Sequence, residues 1–416
     1  MNHMDSALLF FGALLLVLGL TSGLIKNRWH VSEPAVALAA GIIIGPQVLD
    51  WFDLAGWGDP QVLLRDVARL TLSLALLDVA LTLPTDYIRR AWRSVAAMLG
   101  LVMPAMWLVA SVLAWSLLDL PWLQALILGA VLTPTDPVVA SSIVSGKLAV
   151  AHVPERIRHL IACESGANDA LALPLLILPL LLLTLPSPDA WSEWLIKTLL
   201  WDVLTAALLG AAAGYLGGRV LVWAQRHPAA EHASLASVSL ALALTAMGGI
   251  SLMGGDGLLA AFTSGLMLNR AITGRLEAQK RELHETMKRF FEQPVFALIG
   301  MQLPWAEWQT MGGELVLFAG GVLLLRRLPV VALLRRVVPA IQTRRDMLFV
   351  GWFGPIGVAA LYYAMLVQRT PALGPIWTAA SLVIAASVLL HGTSATYLTG
   401  RYGAKMPTDG NSNRPH

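Results

Sequence analysis

Apolar stretches close to the ~20 residues that cross a hydrocarbon core recur along this chain from end to end. Short loops join them, and those loops carry most of the basic residues. Of the 416 residues 56% are hydrophobic and 13% charged, whereas soluble domains carry about 25% charged residues. Mean hydropathy is +0.67. The net charge of +3 is small and dispersed over the loops, so it gives no footprint for nucleic acid. One cysteine, Cys163, excludes an intrachain disulfide framework. The first apolar run, about residues 6–25, is too long for a signal-peptide core and has no basic residues before it; a retained first helix is expected.

The expected fold class is therefore an all-α polytopic membrane protein with about thirteen spans. Their approximate limits are 6–25, 33–50, 63–83, 94–118, 121–145, 157–185, 194–224, 233–250, 255–270, 292–304, 314–338, 346–367 and 374–400. The polar stretch 271–291 reads as a surface helix between two halves. Basic residues set the orientation. Loops after odd-numbered spans hold Lys26 and Arg28, then Arg89, Arg90 and Arg93, then Lys147, Arg156 and Arg158. Further along come Arg219 and Arg226, the cluster at 270–289, Arg335, Arg336, Arg344 and Arg345, and finally Arg401 and Lys405. Loops after even-numbered spans are nearly bare, Lys197 and Arg369 excepted. The alternation predicts an N-terminus outside and a cytoplasmic C-terminal tail.

An odd linking span between two groups of six makes the groups opposite in orientation. The fifth member of each is interrupted, by LTPTDPVV (132–139) in span 5 and GWFGPIGV (351–358) in span 12. Proline lacks the amide proton of the helix ladder, so both helices should break near mid-membrane. Interrupted segments at matching places in two inverted halves point to the binding site of a secondary transporter, although ordinary proline kinks are the bland reading.

The segment Ala162-Cys163-Glu164-Ser165-Gly166-Ala167-Asn168-Asp169 puts two carboxylates and an amide into an otherwise apolar run, span 6. A carboxylate at membrane depth costs about 2.5–3.5 kcal/mol even on insertion scales, so its default reading is functional. Ser165 and Asp169 share one helical face, and Glu164 and Asn168 an adjoining one. The cluster offers oxygen atoms, which hard cations prefer, and no zinc-type set of His and Cys. A lone, partly desolvated carboxylate is expected to hold either a proton or a small cation, and competition for one place is the minimum requirement for exchange.

TPTDPVVASSIVSGKLA, HVPERIRHLIACESGANDALALP and RRLPVVALLRRVVPAIQTRRDMLFVGWFGPIGVAALYYA resemble the monovalent cation:proton antiporters of the NhaP/eukaryotic-exchanger class. SEPAVALAAGIIIGP and SVLLHGTSA fit as well, and the nearest likeness is to the branch with the fungal plasma-membrane sodium/proton antiporters. The resemblance covers most of the chain. It implies an NhaA-like fold of two inverted six-helix repeats with crossing broken helices, and a homodimer. Residues 94–188 and 312–402 would form a core ion-binding unit, 1–93 and 189–311 a scaffold, and 403–416 a cytoplasmic tail. The protein would sit in a bacterial-type inner membrane and exchange Na⁺ or Li⁺, or K⁺, for H⁺ without a cofactor.

Carried over position by position, Asp169 would bind cation (Na⁺) and proton alternately, with Ser165 and Thr135 completing an oxygen cage. Asn168 stands where electrogenic relatives have a second aspartate, which implies electroneutral exchange of one cation per proton. Asp136 would compensate the positive half-helix ends. Arg327 would pair with Glu164, although the adjacent Arg326 is an alternative that the sequence leaves open. Ile356 in FGPIG departs from the basic residue of much of the family, although the fungal-antiporter branch carries an apolar residue there, so that position itself supplies no cationic side chain to the break. Asp78 in span 3 is either a further ligand or a carboxylate that caps or pairs near the cytoplasmic end. Asp256 reads as a helix cap, His391 as a packed polar residue, and the tryptophans near span ends as an interfacial belt. The rival readings are an organic-anion symporter on similar halves, against which the acid cluster speaks, and a carboxylate-lined channel.

Overall fold

The computed structural model describes residues 3–24, 28, 31–51, 54–227, 234–272, 276–368, 370 and 373–403. Lys26, Arg275, Arg369, Lys405 and all of the tail beyond Gly403 lie outside the described residues. Among the described residues the regular structure is wholly helical. The principal helices are α1 (His3–Leu24), α2 (Glu33–Ile44), α3 (Pro60–Thr82), α4 (Trp92–Leu117), α5 (Trp122–Val131) and α6 (Pro137–Val144). They continue with α7 (Glu155–Thr184), α8 (Ser187–Ala224), α9 (Leu235–Leu252), α10 (Gly257–Ala271) and α11 (Glu277–Met287). The last five are α12 (Gln293–Met301), α13 (Trp305–Val337), α14 (Arg344–Trp352), α15 (Val358–Val367) and α16 (Gly374–Gly403). Seven of these helices, α1, α4, α7, α8, α9, α13 and α16, are long and apolar enough to cross a membrane, and α2, α5 and α15 are shorter apolar helices. The polar stretch expected to be a surface helix is helical as α11.

Both expected breaks are present. After α5 and its C-cap Leu132 the chain runs without regular structure from Thr133, and α6 restarts at Pro137 with Asp136 as its N-cap. Pro134 and Pro137 have no N–H to continue the ladder, and proline at the first helical position needs none. The second break runs from Phe353 to Gly357, between α14 and α15. The two extended segments meet: the Asp136 N–H donates to the Pro355 carbonyl at 2.8 Å.

The long helix α7 runs past this crossing, packed against α3, α5, α6, α8, α10 and α15. Asp169 lies half-way along its 30 residues. Beside it, α8 and α10 approach closely along Gly210, Gly214 and Gly218; a methyl group on Gly214 would stand 2.0 Å from the Ser264 carbonyl oxygen. Small residues four apart permit such backbone contact where lipid offers no hydrophobic drive between helices. The helix α13 bends at Arg326–Arg327, because Pro329 cannot donate to the Leu325 carbonyl and the turn before it opens. That bend turns both arginines into the protein.

Candidate functional site at the helix crossing

Four dipole ends converge at the crossing, and two side chains answer them. Asp136 Oδ1 accepts from Val138 N–H at 2.7 Å and Val139 N–H at 3.2 Å, the open donors of α6. Its Oδ2 accepts from Val358 N–H at 2.5 Å, the first donor of α15. Gly357 is required for this approach, since a Cβ there would lie 1.9 Å from Asp136 Oδ2. At the opposite ends, Arg326 Nη1 donates to the carbonyls of Leu132, Thr133 (3.2 Å) and Pro134 (3.3 Å), which directly follow α5. Its Nη2 donates to the Gly354 carbonyl at 2.5 Å, just past α14. One buried carboxylate thus serves two helix N-termini, and one buried guanidinium serves two C-termini.

The question left open between the arginines is resolved: Arg327 pairs with Glu164. Its Nη1 and Nη2 donate to Glu164 Oε1 at 2.7 Å and Oε2 at 3.0 Å, a bidentate pair with both side chains at most 3% exposed. Arg327 Nε is held by the Val350 carbonyl at 2.8 Å. Asn168 then bridges α7 to the broken segment. Its Nδ2 donates to Glu164 Oε1 and to Thr135 Oγ1, both at 2.7 Å, while its Oδ1 accepts from Thr135 N–H at 3.1 Å. Thr135 Oγ1 lies 3.2 Å from Ser165 Oγ and 3.4 Å from Glu164 Oε2.

Asp169 stands apart from this network. It is completely buried, and neither carboxylate oxygen has a hydrogen-bond partner. Its backbone carbonyl accepts from Tyr363 Oη on α15 at 2.5 Å, which fixes the helix but leaves the carboxylate unanswered. Asp136 and Glu164 both act on it electrostatically. Among the described residues, no group of three or more His, Cys, Asp or Glu side chains could hold a metal ion as a resident centre.

The sodium/hydrogen exchanger transmembrane family matches residues 12–399. The chain belongs to that family. A Na(+)/H(+) antiporter of Schizosaccharomyces pombe is 31% identical over 401 residues, covering 90% of this chain and 85% of its own. Na(+)/H(+) antiporter 2 of Zygosaccharomyces rouxii is 32% identical over 420 residues, 93% of this chain and 52% of its own. The chain spans about half the length of several curated relatives that it matches. In fold, it superimposes on the sodium proton antiporter MjNhaP1 from Methanocaldococcus jannaschii with a TM-score of 0.75 and 18% identity, over 97% of this chain and 99% of that one.

In this exchanger-family chain the structure brings together Thr135, Glu164, Ser165, Asn168 and Arg327, with Asp136 at the crossing beside them. Asp78 is only partly with them. Its Oδ2 lies 2.5 Å from His284 Nδ1 on α11, so it is a paired carboxylate. It also lines a small cavity of about 30 Å³ with Ser165, Ser141, Ser145 and Glu292. Asp256 caps α10, accepting from Leu258 and Leu259 N–H at 2.9 and 3.1 Å. His391 is packed and buried, bridging the Ser387 and Trp352 carbonyls. Ile356 is buried, and its N–H donates to Ser387 Oγ at 2.7 Å, so a side-chain hydroxyl supports the second break. Sequence reasoning missed the roles of Arg326, Ser387, His284 and Tyr363. For Arg326 a signal existed in Pro329, three residues on; the other three depend on contacts between distant helices.

Proposed function

We propose that this chain is a secondary antiporter that exchanges a monovalent cation, Na⁺ or Li⁺ first, for H⁺ at Asp169. The observation that carries the reading is a fully buried carboxylate with two unanswered oxygens amid a fully answered polar network. An unanswered buried carboxylate is costly unless an ion or a proton neutralises it. Either one does so, and each excludes the other. Ser165, one turn before Asp169, and Thr135 supply neutral oxygen to a dehydrated cation. Asn168 acts as a brace, tying α7 to the broken segment without adding a titrating group. The names of the relatives, Na(+)/H(+) antiporters in two yeasts, support the same cargo.

Alternating access would come from residues 94–188 and 312–402 moving as a core against 1–93 and 189–311. Asp78 lies on the scaffold side of the small cavity that reaches Ser165, where it would attract the entering cation. The protein would work as a homodimer in an inner membrane, N-terminus outside and tail cytoplasmic, and exchange needs no cofactor.

The test is a dequenching assay in proteoliposomes, with Na⁺, Li⁺ and K⁺ titrated separately at two pH values. Cation-driven proton movement should vanish in Asp169→Asn while the protein still accumulates. Normal exchange by that variant refutes the mechanism, and unitary currents in bilayers would favour a channel.

A further inference from the structure

The backbone of the second helix break needs partners, because an unpaired N–H or C=O at membrane depth is costly. Asp136 takes the Val358 N–H, Arg326 the Gly354 carbonyl, and the Pro355 carbonyl accepts from Asp136 N–H. Two further contacts come from a single turn of α16. Ser387 Oγ accepts from Ile356 N–H at 2.7 Å, and His391 Nε2 lies 3.1 Å from the Trp352 carbonyl oxygen. These side chains are four residues apart on one helical face, with Ser387 Oγ 3.1 Å from His391 Nδ1. Ser387 is fully buried and His391 is 3% exposed. The same helix holds the Trp352 indole, whose Nε1 donates to Ser394 Oγ at 3.2 Å.

Donors and acceptors decide which nitrogen carries the proton of a neutral ring. Nε2 faces a carbonyl, which only accepts, so a proton there makes a hydrogen bond. Nδ1 can then take the Ser387 hydroxyl proton, while the Ser387 oxygen keeps a lone pair for Ile356 N–H. With the proton on Nδ1 instead, the ring donates to the Ser387 carbonyl at 3.0 Å. The Nε2 lone pair then opposes the Trp352 carbonyl, and the Ser387 hydroxyl proton loses Nδ1 as its acceptor. The first arrangement gives the ring two hydrogen bonds and the second gives it one. An imidazolium would donate to both carbonyls, but it costs the hydroxyl proton the same acceptor. It also adds positive charge to a ring on which the buried Arg326 and Arg327 both act electrostatically.

We propose that Ser387 and a neutral, Nε2-protonated His391 form a relay from Ile356 N–H to the Trp352 carbonyl, which clamps both sides of the second break to α16 and makes His391 a positioning residue for exchange at Asp169. The positioning role rests on the exchange reading given above, whereas the relay itself does not. The clamped segment is the one whose Gly354 carbonyl and Val358 N–H meet Arg326 and Asp136, so the relay steadies the crossing.

Variants at position 391 separate a relay from packing. His391→Gln carries an amide N–H to the Nε2 position, His391→Asn reaches only the Nδ1 position, and His391→Leu keeps bulk without polarity. Na⁺-driven proton movement in proteoliposomes should stay within about twofold of wild type in His391→Gln and fall roughly fivefold in the other two. Ser387→Thr should remain active, and Ser387→Ala, which orphans the Ile356 N–H, should lose about tenfold. Exchange retained in His391→Leu, or an equal loss in all three variants at 391, overturns the positioning role. A second measurement is independent of transport. Solid-state ¹⁵N spectra of histidine-labelled wild type, with whichever His391 variant accumulates as the subtraction, should show a protonated Nε2 and a bare Nδ1. The reverse tautomer, or an imidazolium at neutral pH, overturns the relay. Wild-type protein that exchanges neither Na⁺, Li⁺ nor K⁺ defeats the reading at Asp169 and the positioning role with it, and the spectrum still decides the relay.

Discussion

Replacing Glu164 by Gln isolates the buried pair from the transport chemistry. The substitution is nearly isosteric, but it leaves the Arg327 guanidinium, 3% exposed, with no opposing charge. Arg327 cannot retreat to water, because its Nε remains tied to the Val350 carbonyl at 2.8 Å and Pro329 holds the bend. The cost of such an orphaned charge is about 3–5 kcal/mol. Globular scaling of ~2.1 cal/mol/K per residue gives about 0.9 kcal/mol/K for this length, hence a Tm lower by roughly 3–6 °C. Thermal unfolding in detergent measures it, together with Arg327→Met and the double variant. Each single change strands one charge, whereas the double change strands none, so the double variant should be less destabilised than the sum of the singles by about 2 kcal/mol or more. Additive losses, or a single-variant Tm equal to wild type, would refute the claim that the pair holds α7 to the bend of α13. Residual exchange in Glu164→Gln is expected, because Asp169 is untouched.

Further outcomes follow from the same geometry. Asn168→Asp places a second carboxylate 2.7 Å from Glu164 and removes the donor to Thr135, so the variant should melt below wild type at neutral pH. Protonation of the new acid restores a donor, so its Tm should recover as pH falls; a Tm gap independent of pH contradicts this. Gly357→Ala drives a methyl group into Asp136, and exchange in proteoliposomes should drop at least tenfold, in line with about 1.4 kcal/mol or more of lost crossing geometry. An active Gly357→Ala means the crossing tolerates separation. Asp78→Asn should raise the apparent KM for Na⁺ with little change in maximal rate if Asp78 guides the cation. A lowered Tm with unchanged KM would make the His284 pair purely structural.

Much of the crossing was legible because proline and glycine leave marks that no packing can hide. LTPTDPVV and FGPIG fixed where two helices must stop, and the spacing of Glu164, Ser165, Asn168 and Asp169 fixed which of them share a helical face. What the spacing could not fix was rotation about α13, so Arg326 and Arg327 remained interchangeable. Only the bend at Pro329 sends one to the carbonyl ends and the other to Glu164. Asp78 was ambiguous for a similar reason. Its partner His284 is 206 residues away, on a polar helix whose docking has no periodic signature. Ser387 and Tyr363 act through single hydroxyls on otherwise apolar helices, where one polar atom alters no hydrophobic pattern.

Each helix end carries about half an elementary charge, so the two N-termini together offset Asp136 and the two C-termini together offset Arg326. Glu164 and Arg327 cancel each other. Asn168 contributes nothing. Only Asp169 remains, so the cluster is neutral when that carboxylate holds one proton or one monovalent cation and carries one negative charge when it holds neither. In the proposed mechanism, moving the bare form through a low-dielectric barrier is the expensive step, and that expense would couple the two ions. It also sets the voltage response. A net charge moved across the membrane is worth about 2.3 kcal/mol per 100 mV, nearly fiftyfold in rate if borne by the slow step. Exchange through Asp169 alone moves none. Its rate in proteoliposomes should therefore be the same with and without a potassium-diffusion potential, and a clear acceleration by voltage would require a second titrating group that moves with the core.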